Sequence, residues 1–359
     1  MVSPSPASEA DVREGVENLV RNCLQVSVGE TILLLNENGG VDRDLVALTE
    51  EAIKAAGGQF YSLWVDPIDI HIPEVPKVIG NAVLAADKLL MNATLNRVIL
   101  LDLLQANGLQ SLVRINNRNR TPERIATEHS RFHWGLVMAL AKRVEEITGE
   151  ARSWHITTPH GTDMAGRVAL GSEVADSFFA QDAALSRTER VFPGEVYAPV
   201  GAADANGVIA FDHPGMADKE LWANPMILTV ENNMLTDVAW QDADARPQQK
   251  DLGVQTVWTG EQFTRLLQAN EDRFGHEKTY TVDSWHGGMH PKAIKRAGQL
   301  SDTKTMHFHI GRVSETLSAY MSDQTIVLDG EHVMFDNGEL ALLQEPAFQE
   351  LAREWGVTI

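Results

Sequence analysis

The stretch Ser284 to Gly311, SWHGGMHPKAIKRAGQLSDTKTMHFHIG, holds four of the twelve histidines of this 359-residue chain: His286, His290, His307 and His309. His307 and His309 flank Phe308 in a run that alternates like a β-strand. Strand side chains point to the two faces in turn, so both imidazoles face one way, and one short element offers a metal two ligands. Neutral imidazole suits iron, zinc or manganese. Upstream, His286-Gly-Gly-Met-His290-Pro sets two glycines beside a histidine, which lets backbone come close to a bound group. Both motifs also have a plain reading. A strand histidine pair can be polar surface, and HGGMHP can be a tight loop whose histidines face water.

Glu195, in FPGEVYAPV, follows a Pro-Gly turn at the start of a strand, where its carboxylate can be aimed across a domain or can sit solvated at a strand edge. The turn-rich segment ITTPHGTDMAGRV carries His160, Asp163 and Arg167, which can hold substrate or close the turn. His129 and His133 are four apart in a helical stretch but lack the Glu of an HExxH pattern, so an ordinary packed or surface pair is expected. The sequence has no GxSxG, no P-loop and no Cys/His zinc ribbon. A metal site is the chemistry that remains.

The elements that must position these residues follow from periodicity. After a Ser-, Pro- and Ala-rich tail, a helix is expected over Asp11 to Leu24, with Val16, Leu19, Val20, Cys23 and Leu24 on its buried stripe. VSVGETILLLN reads as a strand, residues 42–56 as a helix ending at Gly57-Gly58, and FYSLWV as a second strand, which together suggest a parallel βαβ unit. Gly39-Gly40 alone does not make a dinucleotide fingerprint. Beyond a Pro-rich connection, Leu84 to Met91 and Val98 to Leu104 supply further helix and strand. RINNRNR reads as a solvated basic connection, and a long helix is expected from the N-cap Thr121 to about Thr148.

After Gly149 the texture changes to short strand-like runs separated by Gly, Asn and Asp turns: SWHITTP, GEVYAPV, GVIAFDH, MILTVENN, KTYTVDS, TMHFHIG, QTIVLDG and HVMFDNG. Helices are expected there over Gly260 to Phe274 and in QEPAFQELAREWG. The expected organisation is an α/β N-terminal domain over residues 1–150 and a β-rich C-terminal domain over 151–359.

The balance of 30 basic against 50 acidic residues, a formal charge of −20, repels phosphate backbones and anionic lipid alike, so neither nucleic acid nor membrane is expected as a partner. Cys23 is the only cysteine, the N-terminus lacks the basic and apolar regions of a signal peptide, and no apolar run approaches the roughly 20 residues of a bilayer span. A reduced, cytoplasmic location is the expectation.

In order along the chain, VRNCLQVSVGETILLL with EEAIKAAGG, then ITTPHGTDMAGRV, then VFPGEVYAPVGAADANGVIAFD, and last HFHIG with VLDGEHVMFDNGEL, resemble the superfamily of thermophilic (M29-type) aminopeptidases. Within it the shorter branch that includes 2,5-dihydroxypyridine 5,6-dioxygenase is the most similar. The resemblance implies an α/β N-terminal domain and a β-rich C-terminal domain that carries the metal and builds a homo-oligomer. It also implies that Glu195 matches one ligand of the aminopeptidases' two-metal site, that the SWHGGMHP region matches a second Glu there or a histidine in the dioxygenase branch, and that His307 and His309 match a His-x-Asp pair. This chain departs from both patterns: His309 stands where the Asp is expected, and Ser284 or His286 where the second Glu is. Fewer carboxylates favour one metal over two.

The expectation is therefore a single iron(II), with zinc or manganese as alternatives, held by His286, His307 and His309, with Glu195 as a further ligand. The expected activity is ring-opening dioxygenation of a small hydroxylated aromatic or N-heteroaromatic substrate by O₂, with His290, His160 or Arg312 holding the substrate or moving a proton. A Zn- or Mn-dependent aminopeptidase-like hydrolase and a non-catalytic metal-binding relative are the alternatives.

Overall fold

The computed structural model describes residues 7–69, 72–169, 189–194, 196–213, 224–240, 260–293, 302–313 and 316–359. They divide into two compact units: one holds the described residues up to Leu136 together with 189–194, and the other holds the rest.

Strands β1 (Thr31–Glu37), β2 (Gln59–Val65), β3 (Lys88–Asn92) and β4 (Val113–Asn117) lie in the first unit. Strands β5 (Ser153–Thr157) and β6 (Asp163–Val168) lie in the second, and β7 (Glu189–Phe192) in the first again. The first unit's sheet is wholly parallel, in the order β2-β1-β3-β4-β7. Such a sheet is covered on both faces, so its strands read as unbroken apolar runs. In β1, Ile32 and Leu34 pack in one cluster with Val16, Leu45 and Ile53, while Leu33 and Leu35 pack in another with Ile79, Val83 and Leu100. Helix Arg43–Ala55 starts where the Asp42 side chain accepts from the amides of Asp44 and Leu45 at 2.9 and 3.0 Å. Cys23 is buried in the first cluster, and burial pushes its thiol up, which suits packing rather than nucleophilic chemistry.

Two local expectations fail in this unit. RINNRNR is not a solvated connection: it contains most of β4, and Arg114 is fully buried between the flanking strands. Its guanidinium stands 3.8 Å from Glu189, the residue opposite it on β7, so the basic side chain is matched across the sheet rather than by water.

The single helix from Thr121 is also broken, into Pro122–Ile125, Glu128–Arg131 and Trp134–Glu150. Thr121 does cap the first piece, with Pro122 in its first turn. Buried Asn18 takes up the backbone groups exposed at the second break. Its Nδ2 donates to the carbonyls of Ser130 and Phe132, both at 2.7 Å, and its Oδ1 accepts from the Trp134 amide at 3.0 Å. His129 lies on the second segment and His133 in the break after it, so they do not form an i,i+4 pair on one helix.

The second unit continues with β8 (Val200–Phe211), β9 (Met226–Glu231), β10 (Met234–Ala239), β11 (Val282–Gly287), β12 (Thr305–Ile310), β13 (Leu317–Ser322), β14 (Thr325–Leu328), β15 (His332–Asp336) and β16 (Glu339–Leu340). With β5 and β6 they form one sheet along the path β13-β12-β11-β8-β6-β5-β14-β15-β16, with β9 and β10 branching from β8. Its strand pairs are antiparallel. The far end of β8 also reaches β13, because the Asp212 amide donates to the Tyr320 carbonyl and the Asp212 carboxylate accepts from the Ser322 amide, each at 3.0 Å.

Helices Gly260–Phe274 and Pro346–Glu354 lie where periodicity places them. KTYTVDS is not one strand: His276–Tyr280 is helical, with the Thr281 hydroxyl donating back to the Glu277 carbonyl at 2.6 Å, and the strand begins at Val282. The division of the chain differs from a single boundary near residue 150. It leaves the first unit after Leu136, and β7 returns to it because Phe192 is buried in the first core and Glu189 pairs with Arg114. Among the described residues no helix is long and apolar enough to cross a membrane.

Asn18→Ala would leave two buried carbonyls and one buried amide without partners, at roughly 1 kcal/mol or more each. A loss of about 2–4 kcal/mol is expected, read as a lower urea midpoint for the first unit. An unchanged midpoint would show that the helix break does not depend on Asn18.

Candidate metal centre

Strands β11 and β12 pair antiparallel with Ser284 opposite His309, Trp285 opposite Phe308 and His286 opposite His307. Alternation sends Trp285 and Phe308 to one face and the serine and three histidines to the other. On the apolar face Trp154 packs against Trp285 and Phe308, with ring centroids 6.0 and 5.8 Å apart. Gly287 lets the strands close. A Cβ there would lie 2.7 Å from the Thr305 carbonyl oxygen and 2.8 Å from Met306 Cβ, so this glycine makes room for the neighbouring strand rather than for a ligand.

On the polar face, His286 Nε2 lies 2.8 Å from His307 Nε2, which lies 3.0 Å from His309 Nε2. The residues are 8%, 2% and 3% exposed in that order. The outward nitrogens fix two of the tautomers. His286 Nδ1 lies 3.1 Å from the Tyr197 carbonyl, which only accepts, so Nδ1 carries the hydrogen and Nε2 presents a lone pair. His309 Nδ1 lies 2.9 Å from the Ser284 hydroxyl, and that hydroxyl is placed to donate to Asp283 Oδ2 at 3.3 Å. Its oxygen then accepts from His309 Nδ1–H, and His309 Nε2 is bare as well. The His307 ring lies against Tyr320, with centroids 4.7 Å apart.

Burial holds the three imidazoles neutral. It pushes His286 down to about 4, with the hydrogen bond to Tyr197 opposing. It pushes His307 and His309 well below the ordinary histidine value, helped by neighbouring imidazoles, His213 among those acting on His307. A His307 Nε2–H can be donated to one of the two neighbouring lone pairs but not to both, whereas a cation at the centre accepts all three nitrogens.

The residues fit a metal on this count and on distance. Two nitrogens about 2.1 Å from one ion and at right angles are about 3 Å apart. No carboxylate belongs to the cluster among the described residues, so it brings no negative charge to hold two divalent ions close together. The triad can hold one metal ion.

Of the other residues named from sequence, Glu195 lies outside the described residues. His290 is buried, accepts at Nδ1 from the Lys292 amide at 3.2 Å, and forms an isolated bridge with Asp302; it is not in the triad. His160 lies in the β5–β6 hairpin turn, where the Gly161 amide donates to the Thr158 carbonyl at 3.2 Å. Arg167 pairs with Asp204 at 2.9 Å, and Asp163 with His155 at 2.8 Å, both near the surface. Arg312 forms an ion pair with buried Asp283 at 3.3 Å. Sequence reasoning passed over Asp283, Tyr197 and Tyr320. Strand alternation could have placed Tyr320 beside His307, its partner across β12 and β13, but the hydrogen bond from His286 to the Tyr197 carbonyl leaves no mark in sequence.

The fold and site thus define a mixed helix-and-sheet protein whose antiparallel unit buries a three-histidine, metal-competent centre. No family model and no curated protein matches the chain. Among solved structures, the 2,5-dihydroxypyridine dioxygenase of Pseudomonas putida KT2440 superposes with a TM-score of 0.62 at 13% identity, over 95% of this chain and 99% of its own. Wild-type AmpT from Thermus thermophilus superposes with a TM-score of 0.53 at 11% identity, over 93% and 99%. The first is by its name a dioxygenase of the kind the sequence resembles. At such identities the likeness establishes the fold.

His307→Ala removes the nitrogen that both others approach. It should weaken metal binding by more than about 100-fold, beyond the 10–100-fold usual for outer partners. Retained metal content in both His307→Ala and His309→Ala, by elemental analysis, would put the site elsewhere.

A pH effect also follows. In the metal-free protein His286 stays neutral down to about 4, whereas its unfolded counterpart protonates near 6.5. Between those values the unfolded state binds more protons, so stability falls as pH drops. The Tm of the metal-free protein should decline from pH 6.5 toward 4, and less so in His286→Gln. An equal decline in the two would contradict a buried neutral His286.

Proposed function

We propose that the chain is a mononuclear non-haem iron(II) dioxygenase that opens a small hydroxylated aromatic or N-heteroaromatic ring with O₂. The observation that carries this reading is the buried convergence of three imidazole Nε2 atoms without a carboxylate among the described members of the cluster. Bound iron(II) would supply open coordination positions at which ring hydroxyl and O₂ meet and exchange electrons. The chain's part is to hold its nitrogens deprotonated through Tyr197 and Ser284 and to keep bulk water from the centre by burial.

Of the groups proposed to hold substrate or move a proton, Arg312 is already engaged by Asp283. His290, with Nδ1 accepting, carries its proton on Nε2 and is the better donor, with His160 a third. Assembly as a homo-oligomer is part of the proposal. Likeness in fold to a dioxygenase supports the dioxygenase reading.

One rival has an observation in its favour. Three histidines are also a ligand set for catalytic zinc, so a Zn- or Mn-dependent hydrolase acting on aminoacyl amides fits the same triad.

Protein purified anaerobically and loaded with iron(II) should consume O₂ with dihydroxypyridines, catechols or aminophenols, and His307→Ala should not. No uptake across that panel, with hydrolysis of aminoacyl amides by the zinc or manganese form, would overturn the dioxygenase in favour of the hydrolase.

A further inference from the structure

Outside the triad a second set of buried polar groups leads away from His309. The Ser284 hydroxyl touches His309 Nδ1 at 2.9 Å and Asp283 Oδ2 at 3.3 Å. The other carboxylate oxygen of Asp283 lies 3.3 Å from Arg312 Nε. Asp283 and Ser284 are each 1% exposed, so neither can exchange these contacts for water. An ionised carboxylate buried this deeply is costly unless paired, and Arg312 supplies the charge that pairs it.

The line of contacts has a direction. A carboxylate only accepts, so the single hydroxyl hydrogen of Ser284 goes to Asp283. The serine oxygen is left to accept from His309 Nδ1–H, and His309 must turn a lone pair toward His307. We propose that Asp283, acting through Ser284, is the positioning residue that fixes His309 in its metal-binding tautomer. Asp283, two hydrogen bonds from His309, thus sets the proton on the ligand without itself belonging to the triad.

This rests on the reading that the triad binds a metal. Asp283→Asn keeps the shape but presents an NH₂ that can donate to Ser284. The serine hydrogen is then free to donate to His309 Nδ1, which places the His309 hydrogen on Nε2, pointing into the centre. Ser284→Ala removes the acceptor for Nδ1–H, and Ser284→Thr restores a hydroxyl.

Two measurements on the full-length protein test the proposal. The first is Co(II) binding followed by its visible absorption. Asp283→Asn and Ser284→Ala should raise Kd by about 10–100-fold, the range for outer-sphere partners, with Ser284→Thr recovering most of the loss. The second is ¹⁵N NMR of histidine-labelled, metal-free protein, with His309 assigned by its absence in His309→Ala. The wild type should carry the hydrogen on Nδ1 and Asp283→Asn should carry it on Nε2, a change that a merely structural role for Asp283 would not produce. Unchanged Kd and unchanged tautomer in Asp283→Asn would overturn the proposal and leave the metal site standing. A wild-type protein that binds no Co(II) would instead overturn the metal reading, while the NMR result still reports on Asp283.

Discussion

The centre depends on the register between two adjacent strands. Trp285 and Phe308 lie opposite each other on β11 and β12 and pack on Trp154, and a one-residue slip of either strand would turn its ring away from Trp154. The same register sets His286 against His307 and Ser284 against His309. Apolar burial on one face therefore decides which nitrogens meet on the other. Gly287 permits the close strand approach, since any side chain there would strike the backbone and Met306 of β12.

The register brings together three imidazole nitrogens that no single hydrogen bond can satisfy and that one cation can. Each ring is buried and held neutral, and for two of them the outward nitrogen has a partner that turns the inward one into a lone pair. Surface histidines would spread apart or protonate. Held here by Tyr197, Ser284 and the strands themselves, they form a preorganised ligand set. Among the described residues that set is uncharged, and the nearest carboxylate in the line of contacts, Asp283, is matched by Arg312.

Much of this was legible in the sequence. The unbroken apolar run of β1, the helix that begins near residue 42 and the alternation of TMHFHIG each follow from local chemistry, and the two strand histidines indeed share a face. What failed depended on residues far apart in the chain. Arg114 reads as solvated until Glu189 is known to lie opposite it, and the helix after Thr121 reads as continuous until Asn18 takes up the freed backbone groups. The return of β7 to the first sheet has the same origin. Within the site the histidines were visible as a motif, but their tautomers hang on a backbone carbonyl and on one serine whose neighbour is an acid. Neither Tyr197 O nor the hand-over from Asp283 has a sequence signature.

The central claim is that three neutral imidazoles bind one ion per chain. The most direct measurement is elemental analysis of protein purified without chelator and without added metal, scaled to protein concentration. The account predicts close to one transition-metal ion per chain, with iron the metal that supports oxygen chemistry. Two ions per chain, or none bound even after incubation with iron(II), zinc or manganese, would contradict it.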